Sequence, residues 1–218
     1  MKIQSPTYIL LSILSLAGFS FMAYTISVHE VLIFDRRIIS IVQGWENPIL
    51  TYIMKFFTTI GSSNVTIVLS LIILFFLFKV LHHRSELFVF TIVIIGSSIL
   101  NGLLKQIFHR ARPELHRIID IGGYSFPSGH AMNAFTFYGI LTFLLWRHIT
   151  VKQGRIILIW SSSIMIFMIG LSRVYLGVHY PSDIIGGYLG SGCWLALSIW
   201  TFQLYKEKQS RRQMVWNE

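Results

Sequence analysis

Six long apolar runs, each bounded by polar residues, dominate this sequence of 218 residues. A helix that crosses a bilayer needs roughly 20 mostly apolar residues to cover about 30 Å of hydrocarbon. Because backbone groups find no water partners in lipid, runs of this length are expected to be helices with closed hydrogen bonding. We therefore predict six membrane-spanning helices, at approximately residues 8–28, 64–81, 87–104, 131–146, 156–171 and 184–205.

The composition agrees with a chain that is surrounded by lipid. Hydrophobic residues make up 54% of the sequence and charged residues 12%, and the mean hydropathy is +0.64. The first apolar run lies where a signal peptide would, but it is about 20 residues long and no small-residue cleavage site follows it, so we expect it to remain as the first helix. No repeat, low-complexity tract or soluble domain interrupts the pattern. The sequence predicts one all-α membrane domain over residues 1–218, a six-helix bundle.

The connection between the first and second spans, from about residue 29 to 63, has a different pattern. Apolar residues between Val31 and Val42 are interrupted by charged ones, which is typical of an amphipathic helix that lies in the membrane interface. Asn47-Pro48 should end this helix. The apolar stretch 49–60 that follows is too short to cross the bilayer and contains Lys55, so we expect it to dip into the membrane surface or to cap the bundle.

The net charge of +9 could indicate nucleic acid, but the charges are distributed unevenly across the predicted membrane. The side that holds both termini has ten basic and three acidic residues, a net charge of +7. The other side has five basic and five acidic residues when four charged residues that are discussed below, Lys105, Arg112, Arg173 and Asp183, are not counted. The positive-inside rule then places both termini in the cytoplasm of a multi-pass cell-membrane protein. We expect the basic tail to contact anionic lipid and no nucleic acid.

Two connections hold the polar residues that indicate chemistry. The connection after the third span contains Lys105, Arg112-Pro113 and the run Pro127-Ser128-Gly129-His130. The junction of the fifth and sixth spans contains Ser172-Arg173, His179 and Asp183. Because two spans separate these places, both should lie on the same membrane face, the non-cytoplasmic one.

In this order and at this spacing, these residues resemble the three-part signature of the type 2 phosphatidic acid phosphatase family, whose members usually have six spans. The resemblance covers the third to sixth spans, roughly half the chain, and no motif position departs from it. The signature is also similar to that of vanadium haloperoxidases, so it indicates a phosphate-type site more specifically than it indicates one reaction. It implies a lipid phosphatase with a histidine nucleophile.

The residue types support a phosphate site on chemical grounds. A phosphoryl group in transit spreads its charge over several oxygens, so catalysis consists mainly of positioning and electrostatic stabilisation. Lys105, Arg112 and Arg173 would supply positive charge. The Ser128 hydroxyl, with the N–H groups of Ser128 and Gly129 at the start of a helix, could complete the phosphate-binding site.

The two motif histidines can divide the remaining chemistry. His179 can act as nucleophile if its second ring nitrogen donates to a carboxylate, and Asp183 lies four residues further on, which is one helical turn. Pro181 lies between them, so the local geometry stays open at this point. His130 would protonate the departing oxygen. His109 and Arg110 occupy unspecified positions of the first motif, and substrate contact is the less favoured interpretation for them.

Two lipid substrates fit the family resemblance, and the sequence does not separate them cleanly. The compact chain resembles bacterial members of the phosphatidylglycerophosphatase B type, which favours phosphatidylglycerophosphate by a narrow margin. A site on the outer face favours undecaprenyl pyrophosphate instead. A haem or ion-conducting protein, with His130 and His179 as ligands or relay groups, would leave the three basic residues unexplained and would place charges deep within spans, which are almost free of them.

No cofactor or metal is expected, because the site motifs contain one carboxylate, Asp183, and no cluster of the oxygen ligands that magnesium prefers. The expected partners are the lipid phosphate and the bilayer, with no obligatory protein partner. Cys193, the only cysteine, is expected to be a small packed residue of the last helix.

The predicted topology can be tested with single cysteines in a Cys193→Ala background. A cysteine at position 114 should react with an impermeant thiol reagent on intact cells, and a cysteine at position 209 should react only after the cells are opened. Both positions should label equally in detergent. Labelling of position 209 but not of position 114 on intact cells would invert the topology.

Overall fold

Eight α-helices contain most of the residues that the structure, a computed structural model, describes, namely residues 5–29, 31–79, 84–114 and 116–216. No strand occurs among these residues, which confirms the all-α fold class. In chain order the helices are α1 (Ser5–Val28), α2 (Ile33–Gln43), α3 (Pro48–Ile60), α4 (Ser63–Lys79), α5 (Arg84–Phe108), α6 (Gly129–Trp146), α7 (Lys152–Tyr175) and α8 (Pro181–Trp216).

The predicted spans coincide with α1, α4, α5, α6, α7 and α8, apart from the end of the second span, where residues 80 and 81 lie outside the described residues. Four helices, α1, α5, α7 and α8, are long and apolar enough to cross a membrane, and α3 with α4 could form a fifth crossing that is bent by 53°. The helix α6 is not among those that are apolar enough to cross a membrane, and its first half includes the polar residues His130 and Asn133. The count of six spans therefore stays a prediction.

The connection between the first two predicted spans forms two short helices. In α2, Asp35 and Val42 are buried, whereas Ile33 and Ile41 are exposed to 83% and 48%. Its location in the membrane interface stays a prediction. Asn47 ends the turn after α2 and caps α3, since its side-chain oxygen accepts the N–H of Leu50 at 2.9 Å, a typical N-cap contact.

Small residues of α8 let this helix lie close to its neighbours. A Cβ added at Gly186 would lie 2.2 Å from the Phe126 ring, and one added at Gly190 would lie 3.4 Å from Phe19 of α1. Close approach of backbones through small residues is a common way to pack helices within membranes. These contacts show that the small residues serve packing within the chain.

Two connections at one end of the bundle, with the helix ends that they join, carry the predicted site residues. The longer one, residues 109–128, joins α5 to α6, and the shorter one, residues 176–180, joins α7 to α8. The backbone N–H of Ile118 donates to the carbonyl oxygen of Leu176 at 3.1 Å, so the two connections bind each other directly. Gly177 lies at this junction with a φ of 73°, in the region that favours glycine.

Replacing Gly177 by alanine should destabilise the protein by about 2 kcal/mol or more, because a positive φ and a clash act together. The new Cβ would lie 1.8 Å from the carbonyl oxygen of His116. The thermal midpoint of the purified protein in detergent measures the effect. Gly122→Ala is the control, since no atom of the described residues lies within 4 Å of its Cβ position. Equal midpoints for the two variants would contradict the expectation.

Candidate active site

The two connections bring their motif residues together, as the parity of the spans predicts. Arg112, from the connection after α5, lies with its Nη1 3.1 Å from Nε2 of His179, which precedes α8. The same Nη1 donates to the carbonyl oxygen of Val178 at 2.8 Å. The first and third motifs therefore meet in one buried site, with Arg112 8% and His179 2% exposed.

His179 and Asp183 form the contact that their four-residue spacing predicts. His179 lies just before α8, Pro181 is the first residue of that helix, and Asp183 lies in its first turn. Proline is well tolerated at this position because its missing N–H would have no helical partner there. The Nδ1 of His179 lies 3.3 Å from Oδ2 of Asp183. Pro181 therefore starts the helix rather than interrupting it.

The Asp183 carboxylate is fully buried and is surrounded by donors. Its Oδ1 accepts from Nη1 of Arg110 at 2.6 Å. Its Oδ2 accepts from the N–H of Tyr180 at 2.8 Å and from the hydroxyl of Ser125. A buried carboxylate with this many donors, one of them charged, is held in its ionised form and in one orientation.

These contacts define the state of the His179 ring. Arginine can only donate hydrogen bonds, so Nε2 must accept from Arg112, and the ring proton lies on Nδ1, facing Asp183. Burial lowers the pKa of His179 to about 3, and Asp183 opposes this shift only in part. At neutral pH the ring is therefore neutral, with a lone pair on Nε2.

The three motifs specify three cations, one of which, Arg112, contacts Nε2 of His179. Lys105 donates to the carbonyl oxygen of Tyr124 at 2.7 Å, and Nε of Arg112 donates to that of Gly123 at 2.9 Å. Arg173 donates to the hydroxyl of Thr58, and its buried Nε has no hydrogen-bond partner among the described residues. Within the described part of the chain, no carboxylate forms an ion pair with any of the three cations. The site thus presents positive charge that an anion can neutralise.

The second motif forms the start of α6. Ser128 is the N-cap residue, and its hydroxyl oxygen accepts the N–H of Ala131 at 3.4 Å. The N–H of Ser128, expected to face the phosphate, instead donates to the backbone carbonyl oxygen of Asp183 at 3.1 Å. The expectation for this N–H was wrong, because the chain uses it to join α6 to α8. Gly129, the first helical residue, has an N–H for which an α-helix offers no internal acceptor.

His130 follows in the first turn of α6 and lies against α3. A Cβ added at Gly61 would lie 3.4 Å from the His130 ring. Burial and the nearby guanidinium of Arg173 lower the pKa of His130 well below its usual range. The ring is therefore neutral while no anion is bound.

Comparison with known proteins places this arrangement in a family. The model of the PAP2 superfamily matches residues 86–207, which include all three motifs. The chain is 32% identical over 179 residues to phosphatidylglycerophosphatase B of Bacillus subtilis (strain 168), covering 78% of this chain and 84% of that protein. The chain belongs to the PAP2 superfamily.

Other relatives of this PAP2 protein carry different names. It is 31% identical to a candidate undecaprenyl-diphosphatase of Escherichia coli (strain K12), over 69% of this chain and 77% of that protein. The crystal structure of a transmembrane PAP2-type phosphatidylglycerolphosphate phosphatase from Bacillus subtilis matches with a TM-score of 0.78 and 26% identity, over 90% of this chain and 96% of that one. These relatives agree with the enzyme class that the motifs indicate, a phosphoric monoester hydrolase that acts on lipids.

The structure of this PAP2 protein adds four site contacts that the sequence did not predict. Arg110 forms an ion pair with Asp183. Asp35 of α2 forms a second ion pair with Arg110, at 3.1 Å. Ser125 contacts Asp183, and Thr58 of α3 contacts Arg173. Asp35 could have been found from its spacing, since it precedes Ile38 by three residues and Val42 by seven. That spacing places a charge on the apolar face of a helix.

Among the described residues of this PAP2 protein, no group of three or more His, Cys, Asp or Glu side chains could hold a metal ion. The carboxylate of Asp183, the acidic residue of the three motifs, accepts hydrogen bonds from Arg110, Ser125 and Tyr180. The donor set that surrounds Nε2 is cationic and suits an anion.

Proposed function

We propose that this protein hydrolyses phosphatidylglycerophosphate to phosphatidylglycerol and phosphate, without a metal, through a phosphohistidine at His179. One observation carries the proposal: Nε2 of the neutral His179 imidazole lies 3.1 Å from Nη1 of Arg112, one of three motif cations that form no ion pair with a carboxylate of the described residues. A dianionic phosphate would supply the missing negative charge and place its phosphorus near the nucleophile. The relative from Bacillus subtilis that bears the name of this activity supports the choice of substrate.

In the first step Nε2 of His179 attacks the phosphorus, and the bond between phosphorus and the glycerol oxygen breaks. His130 gives a proton to that oxygen, so phosphatidylglycerol leaves as a neutral alcohol at the former ester. In the second step water attacks the phosphohistidine while His130 accepts a proton from it, and inorganic phosphate leaves with His179 neutral again. Lys105, Arg112, Arg173, the Ser128 hydroxyl and the N–H of Gly129 hold the phosphoryl oxygens throughout.

The low pKa of His130 in the empty site fits this role once substrate charge is considered. Burial is the main cause of this low pKa, and the positive charge of the nearby Arg173 lowers the pKa further. A bound phosphate dianion offsets that positive charge and favours a proton on His130. Substrate binding would thus bring the acid into its working form.

The orientation of the site is part of the proposal. The excess of basic residues on the side of the termini supports cytoplasmic termini and an active site on the opposite face. Undecaprenyl pyrophosphate is the second candidate substrate, because its pyrophosphate is released on that outer face and because of the similarity to the Escherichia coli relative. The same residues would then cleave the terminal phosphate of an anhydride, with the lipid monophosphate as leaving group.

Phosphate release by the purified protein from a panel of lipid phosphates in detergent tests the substrate and the absence of metal together. Phosphatidylglycerophosphate should give the highest kcat/KM, and excess EDTA should leave it unchanged. Vanadate should inhibit, because its five-coordinate form mimics the transferring phosphoryl group. Preference for undecaprenyl pyrophosphate would favour the second candidate, and activity that is lost in EDTA and restored by magnesium would contradict the mechanism.

The roles of the two histidines predict different losses. His179→Ala should abolish turnover for every substrate, since no phosphoenzyme can form. His130→Ala should reduce turnover of lipid esters by roughly 10²–10⁴-fold, the usual contribution of a general acid. With p-nitrophenyl phosphate, whose leaving group needs no proton, the loss in His130→Ala should shrink.

Acid-quenched labelling with a phosphate-labelled substrate, followed by peptide mapping, checks this assignment. The label should be acid-labile and base-stable and should lie on His179. A label on His130, or one that still forms in His179→Ala, would falsify it.

A further inference from the structure

Arg110, which contacts Asp183, also forms a buried ion pair with Asp35. Asp35 of α2 is fully buried and Arg110 is 6% exposed. Nη2 of Arg110 donates to Oδ2 of Asp35 at 3.1 Å, while Nη1 donates to Oδ1 of Asp183 at 2.6 Å. One guanidinium thus bridges two carboxylates that are 148 residues apart in the sequence.

Asp35 also holds the residue next to Asp183. Its Oδ1 accepts the N–H of Ser182 at 2.9 Å, and its Oδ2 accepts the Ser182 hydroxyl at 2.7 Å. Arg110 donates to the same hydroxyl oxygen at 2.7 Å. The first turn of α8, which carries Asp183, is therefore attached to α2 through two direct hydrogen bonds and through the bridging guanidinium of Arg110.

The charge of Asp35 matters as well as its shape. An arginine that faced Asp183 alone would neutralise the carboxylate and weaken its hold on the Nδ1 proton of His179. Asp35 shares the positive charge of Arg110, so the guanidinium weakens the basicity of Asp183 toward His179 less than an unshared one would, while it fixes the other carboxylate oxygen. Burying such a pair costs free energy that an apolar contact would not.

We propose that Asp35 is a positioning residue of the active site, which acts through Arg110 and Ser182 to orient Asp183 and, through it, the His179 imidazole. This inference rests on the proposed role of His179 as nucleophile. It makes α2, a helix outside the three motifs, part of the catalytic apparatus. It also explains why a charge lies on the buried face of α2.

Steady-state kinetics of Asp35→Asn, an isosteric change, test the proposal. The value of kcat should fall roughly 10–100-fold, as is typical when a group that orients an active-site side chain is lost. KM should stay within about threefold, because Lys105, Arg112 and Arg173 are untouched. In an Asp183→Asn background, the further change Asp35→Asn should alter kcat by less than about twofold, since both act through the same group. Multiplicative losses would overturn the proposal.

Glu86→Gln is the matched control. Glu86 is also a buried carboxylate, 6% exposed, and its oxygens lie 3.4 Å from Arg147 and 3.6 Å from His148. It lies 19 residues before Lys105 on α5, about 28 Å away along the helix. Its kcat should match that of the wild type. If Asp35→Asn lowers only the thermal midpoint, with kcat unchanged, Asp35 is a packing residue and the proposal fails.

A readout that needs no turnover separates this proposal from the proposed function. In protein labelled with ¹⁵N-histidine, the His179 signals, assigned by their loss in His179→Gln, should show one tautomer with the proton on Nδ1. Asp35→Asn and Asp183→Asn should both produce a mixture of tautomers, and Glu86→Gln should not. An unchanged tautomer in Asp35→Asn would overturn the positioning role. A mixture in a protein that hydrolyses no lipid phosphate would leave that role standing and refute the proposed function.

Discussion

Burying a carboxylate among apolar helices costs several kcal/mol unless hydrogen bonds and positive charge surround it. Asp183 meets this condition with three donors from two connections: Arg110 and Ser125 from the one after α5, and the backbone of Tyr180 from the one before α8. Because each donor must lie within about 3 Å of the same two oxygens, the connections after α5 and before α8 can adopt few other arrangements. The hydrogen bonds that this one buried charge needs thus fix the backbone around His179, and the orientation of its imidazole follows from them.

Near Nε2 of His179, in contrast, positive charge is present in excess. Lys105, Arg112 and Arg173 are held by backbone carbonyls and a hydroxyl, not by carboxylates. Such contacts fix the positions of the side chains but leave most of their charge unneutralised. An anion that binds there would neutralise this charge, and the contacts that hold the three side chains would organise the site for it in advance.

Local patterns in the sequence predicted the parts of this site that depend on spacing and topology. The contact of His179 with Asp183 follows from a four-residue separation, and the meeting of the motifs follows from the two spans between them. The pair of Asp35 with Arg110 could not be predicted in this way, because it joins residues 75 apart across two connections. The N–H of Ser128 was misassigned for a similar reason, since a helix start indicates a free donor but does not reveal a tertiary acceptor.

The segment that matches the PAP2 superfamily does not contain every residue that contacts the site. The PAP2 match begins at residue 86, so it includes the cations, both histidines and Asp183. Asp35 and Thr58 lie before that segment, on α2 and α3, yet each contacts a residue within it, Arg110 and Arg173 respectively. These two helices thus contact the site from outside the matched segment. A change at Asp35 or Thr58 would remove a contact of Arg110 or Arg173 without altering any residue of the three motifs, so the placement of these two guanidinium groups depends on helices that the motifs do not include.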